Sequence, residues 1–541
     1  MIVWDCNVWV SRKLPLTGGL LRTSSAQAAQ SYQFPRTFGA DSCTQNPRLY
    51  KVERKVLLTD LLKNVEVRTL TGDGDVAVNS VVTDSRKVSP GCLFVAVKGT
   101  QVDGHAFLTQ AETGGAIGVV VENLPDALSP GLVYVVVPDS AVALGHIAAA
   151  FFDHPSEKLK LVGVTGTNGK TSVVTFLFQL FRNLGYRCGM ISTVQNQIEE
   201  EVIPSTHTTP EAVVLQGLLA RMVAAGCSYV FMEVSSHAVV QHRIEGLRFA
   251  AGIFTNITHD HLDFHGTFDH YIAAKKGFFD ALPAGAYALV NADDRRGSVM
   301  VQNTKAEVHT YSIRSMADFR AKILASTFQG LQLLVNDREL WVRLIGAFNV
   351  SNLLAVYGIA VLLGEEEENV LTELSALTPP PGRFEVVRDE VADITAIVDY
   401  AHTPDALENV LSTISQIRNY NERVITVVGC GGNRDATKRP RMAAIAAKMS
   451  DRVIFTSDNS RNEEPEEIIR QMRAGVSAAD YRKTSAFVDR KEAIRQAVSE
   501  AGKGDIILIA GKGHETYQEV RGQRFHFDDR EEVREAFAVS R

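Results

Sequence analysis

Residues 161–172, LVGVTGTNGKTS, decide how this chain folds. Residues 161–164 form a short apolar strand, residues 166–169 a glycine-bearing turn, and the apolar run from Val173 reads as a helix. A strand that passes through such a turn into a helix belongs to a parallel α/β sheet and builds an anion site. Gly166 and Gly169 let backbone N–H groups approach phosphates closely, and the helix N-terminus adds partial positive charge. Lys170 reaches the outer phosphates, the Thr171 hydroxyl suits Mg2+, and Ser172 follows in the first helical turn. The spelling departs from the common P-loop, because Val164 stands where a glycine precedes the lysine by six residues, and Thr167 and Asn168 fill the turn. The bland alternative is an ordinary strand-to-helix turn with two convenient glycines. Strand, Lys-Thr pair and helix in register favour binding of ATP or GTP.

Outward from this turn, apolar strand cores recur at 229–234, 252–256 and 288–291, with helical stretches between them. This spacing predicts a mostly parallel sheet covered by helices, over residues 156–378. Upstream, residues 55–155 carry short strands at 80–83, 92–97, 117–121 and 133–137 and read as a smaller α/β domain. Downstream, Thr378-Pro379-Pro380-Pro381-Gly382, after the acidic run 365–368, can be neither helix nor central strand and is the clearest linker. Beyond it, strands at 395–399, 423–428, 452–456 and 505–509 alternate with helices at 405–417 and 465–472, predicting a C-terminal Rossmann-like domain over 379–541. The expected fold is therefore α/β with three domains, a P-loop ATPase domain in the centre. Polar residues gather just past the C-terminal strand ends, where open parallel sheets bind ligands.

The 541 residues carry 45% hydrophobic and 22% charged side chains, which is ample for several cores. A formal charge of −7 argues against nucleic acid or an anionic membrane as a bulk partner. The six cysteines are scattered without CxxC pairs and read as reduced cytosolic thiols. No run of 18 apolar residues is present. Residues 1–54 are poor in acids and rich in Ser, Thr and Ala; they are read as a poorly ordered extension from an upstream start, with a transit peptide as the alternative.

Several constellations carry chemistry. Glu233 ends a buried strand and is a natural Mg2+ ligand or water-orienting group, against the alternative of a Glu satisfied by an Arg. THDHLDFHG places His259, Asp260, His261, Asp263 and His265 together after a strand, which points to metal or phosphate handling, with solvated loop histidines as the alternative. Zinc fits poorly, since no cysteine lies near. Lys275, one of two lysines on an expected helix, defaults to a surface charge. In the last domain Arg434 follows a glycine-rich loop, Asp458-Asn459-Ser460-Arg461 ends the next strand, and Gly511 to Glu515 ends the last. Arg434 and Arg461 suit carboxylates, and Asp458 and Glu515 suit ammonium groups. The alternative for Arg461 is a salt bridge to Glu463, Glu464, Glu466 or Glu467.

Ten blocks in order, GTNGKTS, MEVSSHAVVQHR, TNITHDHLDFHG, the segment 271–275, GAFNVSN, PGRFE, DYAHTPDAL, GCGGNRD, DNSRNEEP and AGKGHE, resemble the Mur ligase family, and within it the MurE type. The resemblance spans about residues 56–541. It implies an ATP-dependent amide ligase of cytoplasmic peptidoglycan precursor synthesis, monomeric and acting on small molecules. The γ-carboxylate of D-Glu in a UDP-muramoyl dipeptide is phosphorylated, and an amino acid amine attacks the acyl phosphate. It implies Mg2+ held by Thr171, Glu233 and His261, and a carbamylated lysine (N6-carboxylysine) at Lys275, which reverses the default for that residue. It implies ATP contacts from Asn349, Arg383 and Asp399, with His402 nearby, completed by domain closure. Thr83, Ser85, Thr100, Gln101 and Val102 match uridine-side positions. His207, Thr208, Thr209, Ser235, Gln241 and Arg243 match the muramoyl-dipeptide side; His207 and Thr100 depart from the family's commoner residues. The family's meso-diaminopimelate signature, Asp-Asn-Pro-Arg, reads here with Ser460 for Pro. The retained Arg461 favours diaminopimelate over L-lysine. A lysine-adding ligase, a folylpolyglutamate-synthetase-like relative and a non-catalytic plastid scaffold are the rival readings.

Overall fold

The computed structural model describes residues 54–99, 102–418 and 421–539; the expected extension over 1–54 lies almost wholly outside them, as do Thr100 and Gln101. Three large sheets carry the described chain. The first has five strands in the order Thr69–Thr71, Val133–Val136, Gly118–Val121, Cys92–Val95, Ser80–Val82, all parallel except the first. Its three inner strands are continuous apolar runs, as burial on both faces demands, while the edge strand Thr69–Thr71 is exposed.

The second sheet has eleven strands, with Lys160–Thr165 at its centre. Tyr229–Glu233 and Ala251–Phe254 flank that strand, both parallel to it, and Cys188–Ile191, Tyr287–Asn291 and Glu307–Ser312 continue the parallel run on either side. Both ends differ from the expected parallel pattern. Gln195–Ile198 with Glu201–Pro204 at one end, and Phe319–Thr327, Gly330–Val335 and Arg338–Val342 at the other, pair antiparallel. The latter three are joined by tight turns, one at Gly330 (φ 142°) and one at Asn336-Asp337 in the left-handed region, so no crossover helix intervenes. They pack on Ala347–Leu362, a helix buried along most of its length.

No regular element covers 377–384, where the three prolines fall. The third sheet follows, in the order Glu385–Asp389, Ile394–Asp399, Ile506–Ala510, Val424–Val428, Arg452–Thr456, Thr484–Phe487; only the first strand is antiparallel to its neighbour. Helices Pro404–Ile417 and Lys438–Met449 cover one face, and Arg490–Glu500 and Asp529–Val539 the other. Among the described residues no helix is long and apolar enough to cross a membrane.

Candidate active site

Strand Lys160–Thr165 ends in the turn that opens the sequence reading, and helix Lys170–Asn183 starts at Lys170, three residues before the apolar run. Helical dihedrals need no apolar side chain, so the polar first turn was hidden from a hydrophobic pattern. Gly169 adopts φ 88° at the N-cap, and no side chain caps the helix, which leaves the N–H groups of its first turn for a ligand. Gly166 cannot be replaced: a Cβ there would lie 1.9 Å from Thr255 Oγ1. Val164 is fully buried strand, paired in register with Glu233, which explains why no glycine is needed at that position.

Two lysines converge on this turn. Lys170 Nζ donates to the carbonyls of Gly166 (2.9 Å) and Thr167 (3.0 Å). Lys275, on helix Phe268–Asp280, is 1% exposed and donates to the same Gly166 carbonyl at 2.8 Å, 4.7 Å from the Tyr271 ring centroid. Lys275 is thus no surface charge, the default that the family resemblance already reverses, because the helix turns that face onto the loop. Burial lowers the pKa of both amines, that of Lys275 far below the usual lysine value, and the charge of Lys170 adds to the effect on Lys275.

Glu233 is fully buried, and its partners are neutral: Thr171 Oγ1 (2.9 Å), Thr193 N (2.7 Å) and Thr193 Oγ1 (3.1 Å). No arginine satisfies it by a hydrogen bond or ion pair among the described residues. Thr193 extends the network to Thr208 Oγ1 (3.0 Å). Thr209 donates to the Glu233 carbonyl (2.8 Å), Arg243 donates to the Thr209 carbonyl (2.8 Å), and Ser235 caps helix Ser236–Val240, which Gln241 closes. His207 lies at the edge of this network, bonded to Thr206, its pKa lowered by burial. His261 stands in the left-handed region (φ 54°), its imidazole 3.4 Å from Asp260. Burial pushes its pKa down to about 3, so the ring is neutral and free to ligate. His237 packs edge-on at 5.0 Å, and its pKa is lowered by burial, with Arg243 and Arg434 adding to the effect.

Across the linker, Arg383 reaches Thr171 Oγ1 (3.3 Å) and lies 4.5 Å over the Tyr400 ring. Asp399 accepts from Phe384 N (2.7 Å), and burial raises its pKa to about 6. Asn168 donates to Asp405 at 2.9 Å, a contact from the turn to helix Pro404–Ile417. An open cavity of about 180 Å³ lies beside these residues, lined by Asn349, Ile345, Phe328, Arg343, Pro379, Phe384 and Val386. Asn349 is held by Ile345 O and by Asn352, whose amide closes on Gly169. In the first sheet Thr83 follows the edge strand, Ser85 donates to Gln110 (2.8 Å), and Val102 is exposed. No hydrogen bond joins these to the other groups among the described residues.

Asp458, Asn459 and Ser460 are buried at the end of strand Arg452–Thr456. Arg461 adopts φ 53° and lays its guanidinium on the carbonyls of Gly432 (2.8 Å) and Asn459 (3.5 Å). It makes no salt bridge among the described residues, since Arg439, Arg521 and Arg470 take Glu463, Glu464 and Glu467. Arg434 stands beyond the same glycine loop. The ammonium reading of Asp458 and Glu515 needs correction. Fully buried Lys512 sits 3.7 Å from Asp458 and 3.1 Å from Glu515, and also donates to Asn459 (3.2 Å). Both carboxylates are thus already shared with an internal ammonium, and buried Arg490 acts on both as well, so neither is a free partner for a substrate ammonium. Gly511 (φ 120°) passes 3.0 Å, at its would-be Cβ, from Asp458.

Three family models match in order: Mur ligase family, catalytic domain, over residues 77–152; Mur ligase middle domain over 164–360; and Mur ligase, glutamate ligase domain over 382–513. A UDP-N-acetylmuramoyl-L-alanyl-D-glutamate--2,6-diaminopimelate ligase of Cytophaga hutchinsonii is 56% identical over 88% of this chain and 98% of its own. The chain belongs to the Mur ligase family. The enzyme of the same name from Phocaeicola vulgatus is 54% identical over 89% of this chain and 99% of its own. A solved structure of a ligase of that name aligns with a TM-score of 0.64 at 31% identity, covering 90% of this chain and 99% of the other.

The three sheets of this Mur ligase are thus its N-terminal, middle ATPase and C-terminal domains. Four residues that the structure brings into the hydrogen-bond networks of the candidate site were not singled out in the sequence. Thr193 had no motif around it, Asp405 sat unassigned inside DYAHTPDAL, and Lys512 unassigned inside AGKGHE. Arg439 was hidden among the basic residues that open helix Lys438–Met449.

Proposed function

We propose that this Mur ligase joins meso-diaminopimelate to the γ-carboxylate of D-Glu in UDP-N-acetylmuramoyl-L-alanyl-D-glutamate, with ATP split to ADP and phosphate. The observation that carries the reading is Arg461: a guanidinium at the end of a strand, resting on carbonyls, with no carboxylate of its own. Such a fork suits the distal carboxylate that diaminopimelate has and L-lysine lacks.

In this reading the γ-carboxylate oxygen of D-Glu bonds to the γ-phosphorus and ADP leaves. The amine then bonds to the acyl carbon, the C–O bond to phosphate breaks, and the amine proton departs. Lys170 swings from the loop carbonyls onto the phosphate oxygens and, with Arg383, offsets repulsion between the two anions. Asn349 and the cavity beside it take the adenine, and Asp399 holds Phe384 at its wall. Thr83, Ser85, Thr100, Gln101 and Val102 serve the uridine end; His207, Thr208, Thr209, Ser235, Gln241 and Arg243 serve the muramoyl dipeptide. Arg434, Arg461, Asp458, Asn459, Ser460, Gly511 and Glu515 hold the amino acid.

Thr171 and Glu233 fit Mg2+, because Glu233 is a buried carboxylate whose hydrogen-bond partners are all neutral, the Thr171 hydroxyl among them; we add His261, whose imidazole is neutral and stands near Lys170, as a further holder. Among the described residues no three His, Cys, Asp or Glu side chains gather into a closed cluster, and a Mg2+ that shares phosphate oxygens requires none. Bound there, the ion would neutralise charge on the phosphoryl oxygens. Lys275 is the residue we assign as the carbamate, since burial beside Lys170 favours the neutral amine that reacts with CO2 and disfavours the ammonium. We assign domains to 55–155, 156–378 and 379–541, and infer a monomeric cytoplasmic enzyme. The four described cysteines are free and buried, as a reducing compartment allows.

The test is phosphate release from ATP, Mg2+ and the UDP-muramoyl dipeptide with each amino acid in turn. Release that depends on meso-diaminopimelate is expected. L-lysine as sole acceptor, or no release with any amino acid, overturns the reading.

A further inference from the structure

Arg439 is 1% exposed, on the first turn of helix Lys438–Met449, and touches none of the groups assigned to substrate. Its guanidinium binds Glu463 through both nitrogens, Nη1 to Oε2 at 2.8 Å and Nη2 to Oε1 at 2.9 Å. It also donates to Gln471 Oε1 (2.7 Å) and to the carbonyl of Gly431 (3.2 Å). Glu463 lies two residues after Arg461, and the two side chains border the same turn. Arg461 donates to Gly432 O, and a Cβ on Gly432 would stand 3.3 Å from Glu463 Cβ; a Cβ on Gly431 would stand 3.0 Å from Arg461 Nη1. Glu463 is thus the nearest acid in sequence to a guanidinium that must stay free, and it is held away from it.

We infer that Arg439 is a specificity-positioning residue: by sequestering Glu463 it keeps Arg461 unpaired for the second carboxylate of the amino acid, and it ties the Gly431 loop to the Arg461 loop. The idea rests on the diaminopimelate reading. Without Arg439, Glu463 would swing onto Arg461 and compete with substrate from within the chain, an intramolecular competitor at high effective concentration. The bidentate fork onto Glu463, with the further bonds of Arg439 to Gln471 and Gly431 O, is what holds the native pairing.

The test compares steady-state kinetics of the full-length Arg439→Met, Glu463→Gln and double variants with wild type. Arg439→Met is expected to raise KM for meso-diaminopimelate about tenfold or more, with KM for ATP unchanged. Glu463→Gln alone is expected to stay close to wild type, and the double variant to recover most of the loss, because the competing charge is gone. An unchanged KM in Arg439→Met overturns the inference, as does a loss that the double variant retains, which marks a merely structural role. Should Arg439→Met not fold, Arg439→Lys replaces it on both backgrounds, with the same rescue expected. Failure of the diaminopimelate reading itself shows separately, as absence of diaminopimelate-dependent phosphate release in wild type.

Discussion

Lys170 and Lys275 donate to one and the same carbonyl, that of Gly166, at 2.9 and 2.8 Å. Two buried amines therefore crowd one acceptor, and neither is hydrogen-bonded to a carboxylate among the described residues. Such a pair costs stability whenever both are charged, and it persists because the loop geometry that holds it also holds the phosphates.

Replacing Lys275 by Met should thus separate stability from function. Removing a desolvated amine is expected to raise Tm by about 2–4 °C in bicarbonate-free buffer, measured by scanning calorimetry. Turnover is expected to fall at least about a hundredfold. The sign of the pH dependence follows from the depressed pKa. In the window between the folded value and the usual lysine value the unfolded chain binds more protons, so wild-type stability rises with pH there, and Lys275→Met should weaken that rise. Equal Tm in both proteins would show that the amine carries no burial penalty.

His402 and His514 flank Tyr400, with ring centroids 4.6 and 4.9 Å away. Burial pushes them down to about 4 and about 3. A histidine whose folded pKa is depressed contributes stability that is complete above the unfolded value near 6.5 and is lost as pH falls toward the folded one. Urea unfolding midpoints are expected to drop between about pH 6.5 and 4, and the His402→Gln/His514→Gln variant to show a shallower drop. Parallel curves would assign the acid lability elsewhere.

How much of this was legible in the sequence depends on what a pattern encodes. The strand at 161–164 and the strand ends at Glu233 and Arg461 were readable, because buried parallel strands are continuous apolar runs and their C-terminal ends carry the polar residues. The antiparallel additions after Glu307–Ser312 were not, since Val335 and Arg338 alternate in and out of the core much as amphipathic elements of either kind do. Partnership was the harder matter. Nothing local distinguishes Lys275 from Lys276, yet one is buried under the loop and the other pairs with Asp280. Likewise the choice of Glu463 by Arg439, over its chain neighbour Arg461, is set by a helix that approaches from 24 residues earlier in the chain.

Asn168 and Asp405 join the nucleotide turn to the first helix of the C-terminal domain with a single hydrogen bond of 2.9 Å. Such a bond contributes on the order of 1 kcal/mol to the closed arrangement; burial and the neighbouring Glu408 raise the pKa of Asp405, and the bond from Asn168 opposes that rise. Asp405→Ala is expected to lower kcat about fivefold and to enlarge the radius of gyration in solution scattering, with binding of the UDP-muramoyl dipeptide unchanged. A variant that scatters and turns over like wild type would show that this contact does not govern closure.

Arg461 offers the sharpest test of substrate choice. Its guanidinium is fixed by two carbonyls and by the left-handed backbone beneath it, so the fork meets a carboxylate without reorganising. Arg461→Ala should lower kcat/KM for meso-diaminopimelate about a hundredfold and leave ATP affinity as it was. Arg461→Lys keeps the charge but loses the second donor and is expected to recover only part of that loss. L-lysine turnover should be indifferent to both changes, because it presents no distal carboxylate. Kinetics with the two amino acids side by side decide the matter: equal losses for both would mean that Arg461 supports the turn rather than reading the substrate.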